Sequence, residues 1–309
     1  MSWQMTGVGW LMRATRKRAF EDPEGGQALL DRAKADPTPP ARVTTQVLVT
    51  TQTVEGATVY RVRRAGLAEP TGPAVVYLHG GAYVNEIVKQ HWDFLARLVT
   101  SLDPRLGVEV LVPVYGLAPQ HHAAQARELV ATLLEDLRRQ GRPAYLMGDS
   151  AGGGLALVAA QAAVAAAAER GDPDAGIVGV TAMAPWVDLT MANPEVDAVE
   201  PTDPWLARAA LHRVAQSWAG EESVADAAVS PLFGPMEGLP PVEVWVGTRD
   251  VTWPDCRLLV DRLRAAGTPV TLHEEPGAIH VYPLLPVPEG RRAAAAIATR
   301  LEGALRATV

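Results

Sequence analysis

The pentapeptide Gly148-Asp149-Ser150-Ala151-Gly152 follows the apolar run Ala144–Met147 and opens an alanine-rich stretch. Gly-x-Ser-x-Gly between a strand and a helix forces the serine onto a sharp turn with its hydroxyl exposed. A hydroxyl held this way is a nucleophile for acyl transfer. It needs a base to take its proton, a carboxylate to orient the base, and N–H donors to meet the developing oxyanion. Downstream, the run Val242–Val246 leads into Gly247-Thr-Arg-Asp250, and Val270–Glu274 leads into Glu275-Pro-Gly-Ala-Ile-His280. Serine, acid and histidine then follow one another in the chain order this architecture uses, each past the end of a strand. Ser150, Asp250 and His280 are the expected triad.

Other titratable groups compete for these roles. Asp255 is the alternative acid, but it falls in the first turn of the next helix, where a carboxylate is favoured by the dipole. Asp149 adjoins the nucleophile and points elsewhere on an elbow, so a structural hydrogen-bonding role is expected. His121 and His122 are adjacent, a spacing that does not converge two ligands on a metal, and His273 lies within a strand. Among the histidines that follow Ser150, only His280 occupies a loop just past a strand. For the oxyanion, Ala74–Leu78 runs into His79-Gly80-Gly81-Ala82-Tyr83, where small residues let backbone N–H groups approach a ligand. The N–H groups of Gly81, Ala82 and Ala151 are the expected donors. Trp186, Trp205, Trp218 and Tyr282, with Tyr83, are candidates for lining an apolar substrate pocket, although large aromatics are more often core.

These residues need a scaffold that brings strand ends together. Short apolar runs rich in β-branched residues alternate with helical patterns, predicting strands at Val43–Thr50, Thr58–Arg63, Ala74–Leu78, Val108–Val114, Ala144–Met147, Ile177–Met183, Val242–Val246 and Val270–Glu274. Helices are predicted at His91–Leu102, Ala123–Arg139, Ala151–Arg170, Trp253–Ala266 and Glu289–Arg306. Continuously apolar strands imply a parallel sheet buried on both faces, whereas the first two alternate and suit an antiparallel edge. The expected division is a core over residues 41–186 and 229–309, with residues 1–40 and the insertion 187–228 as two parts of a helical cap.

The chain resembles the hormone-sensitive-lipase-like (bacterial family IV) esterases of the α/β-hydrolase fold. The resemblance rests on His79-Gly-Gly-Ala82, Gly148-Asp-Ser-Ala-Gly-Gly153, Ala184-Pro-Trp-Val-Asp-Leu189, Ser230-Pro231, Gly247-Thr-Arg-Asp250 and Gly277-Ala-Ile-His280. It implies an α/β architecture with an eight-stranded, mostly parallel sheet and a helical cap. It further implies hydrolysis of a small-molecule carboxylic ester with no metal or organic cofactor. Two departures stand out. Ala82 occupies the position of a third glycine, and the family's Tyr-Arg-Leu-Ala-Pro-Glu appears as Tyr115-Gly-Leu-Ala-Pro-Gln120, without its charged pair.

Bulk properties narrow the rest. The 309 residues are 48% hydrophobic and 20% charged, as in an ordinary globular chain, and the formal charge of −7 with no long basic run offers no footprint for nucleic acid. The lone cysteine, Cys256, fits a reducing compartment and an expected cytoplasmic location, and is read as a buried structural thiol. Ala151–Ala168 is long enough to span a bilayer, but Ala and Gly transfer weakly, so a helix buried against the sheet is expected. Residues 1–20 carry Trp3, Trp10 and Leu11 ahead of Arg13, Arg16, Lys17 and Arg18, the reverse order of a secretory signal. They read first as an amphipathic helix packed on the protein and second as one in weak contact with a lipid surface. A homodimer is compatible with the chain but has no signature in it.

Overall fold

A computed structural model describes residues 1–66 and 70–308. Eight strands form one sheet: β1 Leu48–Val54, β2 Ala57–Arg63, β3 Ala74–Leu78, β4 Glu109–Pro113, β5 Ala144–Asp149, β6 Ile177–Met183, β7 Val242–Gly247 and β8 Val270–Glu275. Their order across the sheet is β1-β2-β4-β3-β5-β6-β7-β8. β2 is antiparallel to both β1 and β4, and all remaining pairs are parallel. β3, β4 and β5 are buried along their whole length, because helices cover both faces. The carboxyl ends of β3, β5, β7 and β8 therefore lie along one edge.

In chain order the helices are α1 Trp3–Thr15, α2 Pro23–Asp31, α3 Ala41–Thr44, α4 Lys89–Ser101 and α5 Ala123–Arg139. They continue with α6 Ala151–Glu169, α7 Val196–Val199, α8 Arg208–Ala219, α9 Trp253–Ala265 and α10 Pro288–Arg306. Two apolar clusters result, one on each face of the sheet. Leu129, Val130 and Leu133 of α5 and Leu155 of α6 belong to the first. Trp92 and Leu95 of α4 and Ile297 and Leu301 of α10 belong to the second. Among the described residues only α6 is long and apolar enough to cross a bilayer, and most of it is buried inside the protein.

One expected strand is displaced. Of the expected strand Val43–Thr50 only Leu48–Thr50 is strand; residues Ala41–Thr44 are α3, and β1 runs Leu48–Val54. The turn decides this. Glu55 and Gly56 both have positive φ, +46° and +76°, the geometry of a tight hairpin turn, and this pairs Val54 with Ala57 and sets the register back to Leu48. Val43 and Val47 are buried on the turn that precedes the strand, so their alternation with polar residues is helical in origin.

Two segments lie outside the β-α alternation and pack on one another. α2 rests on α8, where a Cβ on Gly26 would lie 2.7 Å from the Ala210 carbonyl oxygen. The buried Lys17 ammonium donates to the carbonyls of Glu200 and Leu206 at 3.1 and 2.6 Å. Burial lowers its pKa, with Asp203 and Glu200 opposing that shift.

Candidate active site

The elbow is a backbone construction. Ser150 sits at φ +51°, ψ −123° between the end of β5 and the first residue of α6. A non-glycine residue held there costs on the order of 1–3 kcal/mol, which the surrounding packing must over-determine. Its N–H donates to the Met183 carbonyl at 2.8 Å. Gly152 then passes so close to the end of β3 that a Cβ would lie 2.0 Å from the Leu78 carbonyl oxygen and 2.5 Å from that of His79. The elbow and the His79–Tyr83 loop are thus in backbone contact.

Ser150, His280 and Asp250 form one hydrogen-bonded chain. The Ser150 hydroxyl lies 2.8 Å from His280 Nε2, and His280 Nδ1 lies 2.8 Å from Asp250 Oδ2. A carboxylate only accepts, so Nδ1 carries the proton and Nε2 is left to accept from the serine hydroxyl. The other oxygen of Asp250 accepts from the N–H and hydroxyl of Thr252, both at 2.9 Å. The acid and histidine loops are stitched together: Arg249 N–H donates to Ala278 O at 3.0 Å and Gly277 N–H to Thr248 Oγ1 at 2.9 Å. Asp255, the alternative acid, makes no hydrogen bond to His280 among the described residues. It is buried in the first turn of α9, and burial pushes its carboxyl up to about 7.

Around this chain the expected oxyanion donors are free. Among the described residues, the N–H groups of Gly81, Ala82 and Ala151 donate no hydrogen bond. The loop that carries two of them runs through left-handed backbone, with φ of +129° at Gly81, +52° at Ala82 and +58° at Tyr83. Ala82 therefore adopts the conformation that a glycine would take without strain. Three side chains fix the loop. Asp149 Oδ1 accepts from Gly80 N–H at 3.0 Å and from the Tyr77 hydroxyl at 2.6 Å. The Tyr83 hydroxyl donates to Ala151 O at 2.8 Å. Lys34 donates to the carbonyls of Val84 and Ala118 at 3.0 and 2.7 Å. That ammonium reaches in from the N-terminal segment to the stretch that lacks the family's charged pair.

Asp149 takes the structural part expected of it, completed by a histidine that carries no sequence signal. His91 Nδ1 accepts the Val88 N–H at 2.9 Å, so its Nε2 bears the proton directed at Asp149 Oδ2, 3.2 Å away. Burial opposes ionisation of Asp149, but His91, Tyr77 and the Gly80 N–H outweigh it and hold its carboxyl below the ordinary value.

The aromatic candidates do not form one set. Trp205 is half-buried with its ring edge-on to His280, centroids 5.7 Å apart. Tyr83 is buried and stacks on Trp218 at 4.1 Å, with Trp186 at 6.0 Å on the same side. Tyr282 is buried in the cluster on the other face of the sheet. Cys256 is buried, and burial pushes its thiol well up. No group of three or more His, Cys, Asp or Glu side chains is placed to hold a metal among the described residues.

Sequence reasoning missed Asp203, in the insertion. It is fully buried; Oδ1 accepts from Trp205 N–H and Leu206 N–H at 2.7 and 2.9 Å, and Oδ2 from Val251 N–H at 2.8 Å. It thereby ties the insertion to the residue after Asp250. Burial first, and the Asp250 charge second, push its carboxyl up to about 6. For His280, burial lowers the pKa but Asp250 and, more weakly, Asp203 raise it, and the net shift is upward. A base must be neutral to accept a proton, so the acidic limb of kcat/KM should lie above the ordinary imidazole value of about 6.5. Asp203→Asn should move that limb to lower pH and lower kcat. Its amide can satisfy only one of the two N–H clusters, leaving a donor facing the Val251 N–H or the Trp205 and Leu206 pair. Unchanged kcat and an unmoved limb would remove Asp203 from any part in positioning the acid.

A mostly parallel sheet with a serine elbow, an acid and a histidine past the ends of β5, β7 and β8 defines a hydrolase of the α/β class, and the relatives agree. A family model described as the alpha/beta hydrolase fold matches residues 75–284. The chain is 33% identical over 236 residues to an acetyl-hydrolase of Streptomyces hygroscopicus, covering 73% of this chain and 74% of that one. It is 31% identical over 255 residues to the esterase LipU of Mycobacterium tuberculosis, covering 79% and 81%. The crystal structure of an esterase from the bacterial hormone-sensitive lipase family superposes with a TM-score of 0.78 at 25% identity, covering 99% of each chain. The chain belongs to the α/β-hydrolase-fold family. Within it, the protein is a hormone-sensitive-lipase-like carboxylic ester hydrolase.

Proposed function

We propose that this protein hydrolyses small to medium apolar carboxylic esters, lactones included, through an acyl-enzyme on Ser150. The observation that carries the proposal is the buried hydrogen-bonded chain from Ser150 through His280 to Asp250, set beside unpaired backbone donors. His280 takes the serine proton as Oγ attacks the ester carbonyl carbon. Asp250 holds the ring with its proton on Nδ1 and stabilises the imidazolium that forms. The N–H groups of Gly81, Ala82 and Ala151 receive the carbonyl oxygen as it becomes an oxyanion; each such donor is worth about 3–4 kcal/mol in the transition state. His280 then protonates the leaving alcohol. Water, deprotonated by the same nitrogen, attacks the acyl-enzyme and releases the acid.

The N-terminal segment and the insertion form the cap of this site in the same proposal, since Trp205 stands against His280 and Asp203 anchors beside Asp250. The acetyl-hydrolase name of one relative favours short acyl groups. A series of p-nitrophenyl esters of increasing acyl length, run beside matched anilides, tests the reading. Turnover of esters with kcat/KM falling beyond medium chain length, and much slower anilide cleavage, is expected. Faster anilide than ester turnover would make the protein an amidase. Binding without turnover would make it a non-catalytic small-molecule receptor.

A further inference from the structure

Of the eight tryptophans, Trp92, Trp186, Trp218 and Trp245 are buried and Trp205 and Trp253 half-buried. The remaining two are both on α1, where Trp3 is 80% and Trp10 72% exposed, with Leu11 beside them at 55%. Trp3 and Trp10 are seven residues apart, two helical turns, so they share one face with Gly7 between them. The opposite face holds the helix to the protein. Met5 is fully buried, and Gly9 packs against Arg249 and Pro204. Ser2 caps the helix by accepting from Met5 N–H at 3.2 Å and donates its hydroxyl to Glu289 at 2.7 Å. The tryptophans therefore sit on a fixed helix and project away from its packed side.

Charge accompanies them. Residues 1–20 contain Arg13, Arg16, Lys17 and Arg18 and no acidic residue, in a chain whose net charge is −7. Lys17 is buried, while the three arginines are exposed. Exposed Glu21, Asp22 and Glu24 follow. They limit the electrostatic share and leave the indoles as the principal anchor.

We propose that this face of α1 docks the protein on an anionic lipid surface. Trp3, Trp10 and Leu11 enter the boundary between headgroups and acyl chains, and Arg13, Arg16 and Arg18 lie against lipid phosphates. Indole rings favour that boundary because they are apolar with one polar N–H, and basic side chains beside them add attraction to anionic headgroups. A second copy of the chain is a poorer occupant. Two-fold pairing through α1 would set residues 1–20 against themselves, and with no acidic side chain there the arginines would gain no anionic partner, which lipid phosphates supply. Since Gly9 packs against Arg249, the residue before Asp250, docking would hold the acid loop close to the lipid. The surface stands independently of the role given to Ser150.

Cosedimentation of the full chain with vesicles of phosphatidylcholine, with and without phosphatidylglycerol, tests the proposal. Binding to the phosphatidylglycerol vesicles is expected, with a blue shift of tryptophan emission. Trp3→Ser/Trp10→Ser should weaken it about tenfold or more while Tm stays unchanged, since both side chains are in water. Each of Arg13→Gln, Arg16→Gln and Arg18→Gln should weaken binding to anionic vesicles about fivefold and leave binding to phosphatidylcholine alone unaffected. Three results would overturn it: no binding by the wild type, equal binding by the tryptophan double variant, or light scattering showing a dimer that this variant converts to monomer without any vesicle binding. Hydrolysis of a soluble ester by the double variant should equal that of the wild type. Loss of hydrolysis in both would bear on the esterase reading alone.

Discussion

Ser150→Ala should reduce kcat by about 10⁵–10⁶-fold while leaving the fold in place. The size of the loss follows from what the hydroxyl does. Without Oγ there is no atom within reach of His280 Nε2 to attack the carbonyl, and the remaining oxyanion donors and bound substrate supply only residual catalysis. The fold should survive because alanine accepts the same elbow geometry as serine, and the N–H to Met183 O bond does not involve the side chain. Leaving His280 Nε2 unpaired in a buried site costs about 1–3 kcal/mol, and Tm should fall by a few degrees at most. Steady-state turnover of a p-nitrophenyl ester beside a thermal melt measures both. Substantial retained turnover would show that another residue is the nucleophile.

Asp250→Asn should cost about 10⁴-fold in kcat with little change in KM. The amide oxygen would stay on the Thr252 donors, turning the amide NH₂ toward His280 Nδ1. That nitrogen must then become an acceptor, so the ring proton moves to Nε2. Nε2 now donates toward Ser150 and can no longer take its proton. The comparison with Asp255→Asn is decisive for the choice of acid. Asp255 is pushed up to about 7 by burial, so its neutral form resembles an amide, and the substitution should change kcat by about threefold or less. If Asp255→Asn were the damaging one, the orienting carboxylate would have been misassigned.

How far the site is legible in the sequence depends on the kind of contact. Ser150, Asp250 and His280 each follow an apolar run, and parallel pairing of β5 through β8 puts those run ends on one edge, so their proximity follows from periodicity and order. The His79–Tyr83 loop is reached the same way, from the end of β3. β1 was less legible because a two-residue turn at Glu55-Gly56, and not the apolar alternation near Val43, sets its register. Asp203, Lys17 and Lys34 left no pattern. Each satisfies backbone groups distant in the chain, as Lys17 does for carbonyls at positions 200 and 206, and backbone groups have no sequence identity to read. The aromatics are hard to place from sequence for a related reason. Which side of the sheet Tyr282 and Trp186 occupy depends on the turns that carry them, and the two fall into different clusters.

The central claim is that Ser150 is the activated nucleophile, and covalent capture tests it most directly. The intact protein, treated with an alkyl fluorophosphonate and analysed by mass spectrometry, should gain one adduct mapping to the peptide that contains Ser150, with turnover lost in step with labelling. The Ser150→Ala protein should gain none. Labelling at another residue, or full turnover in a protein that resists labelling, would contradict the account.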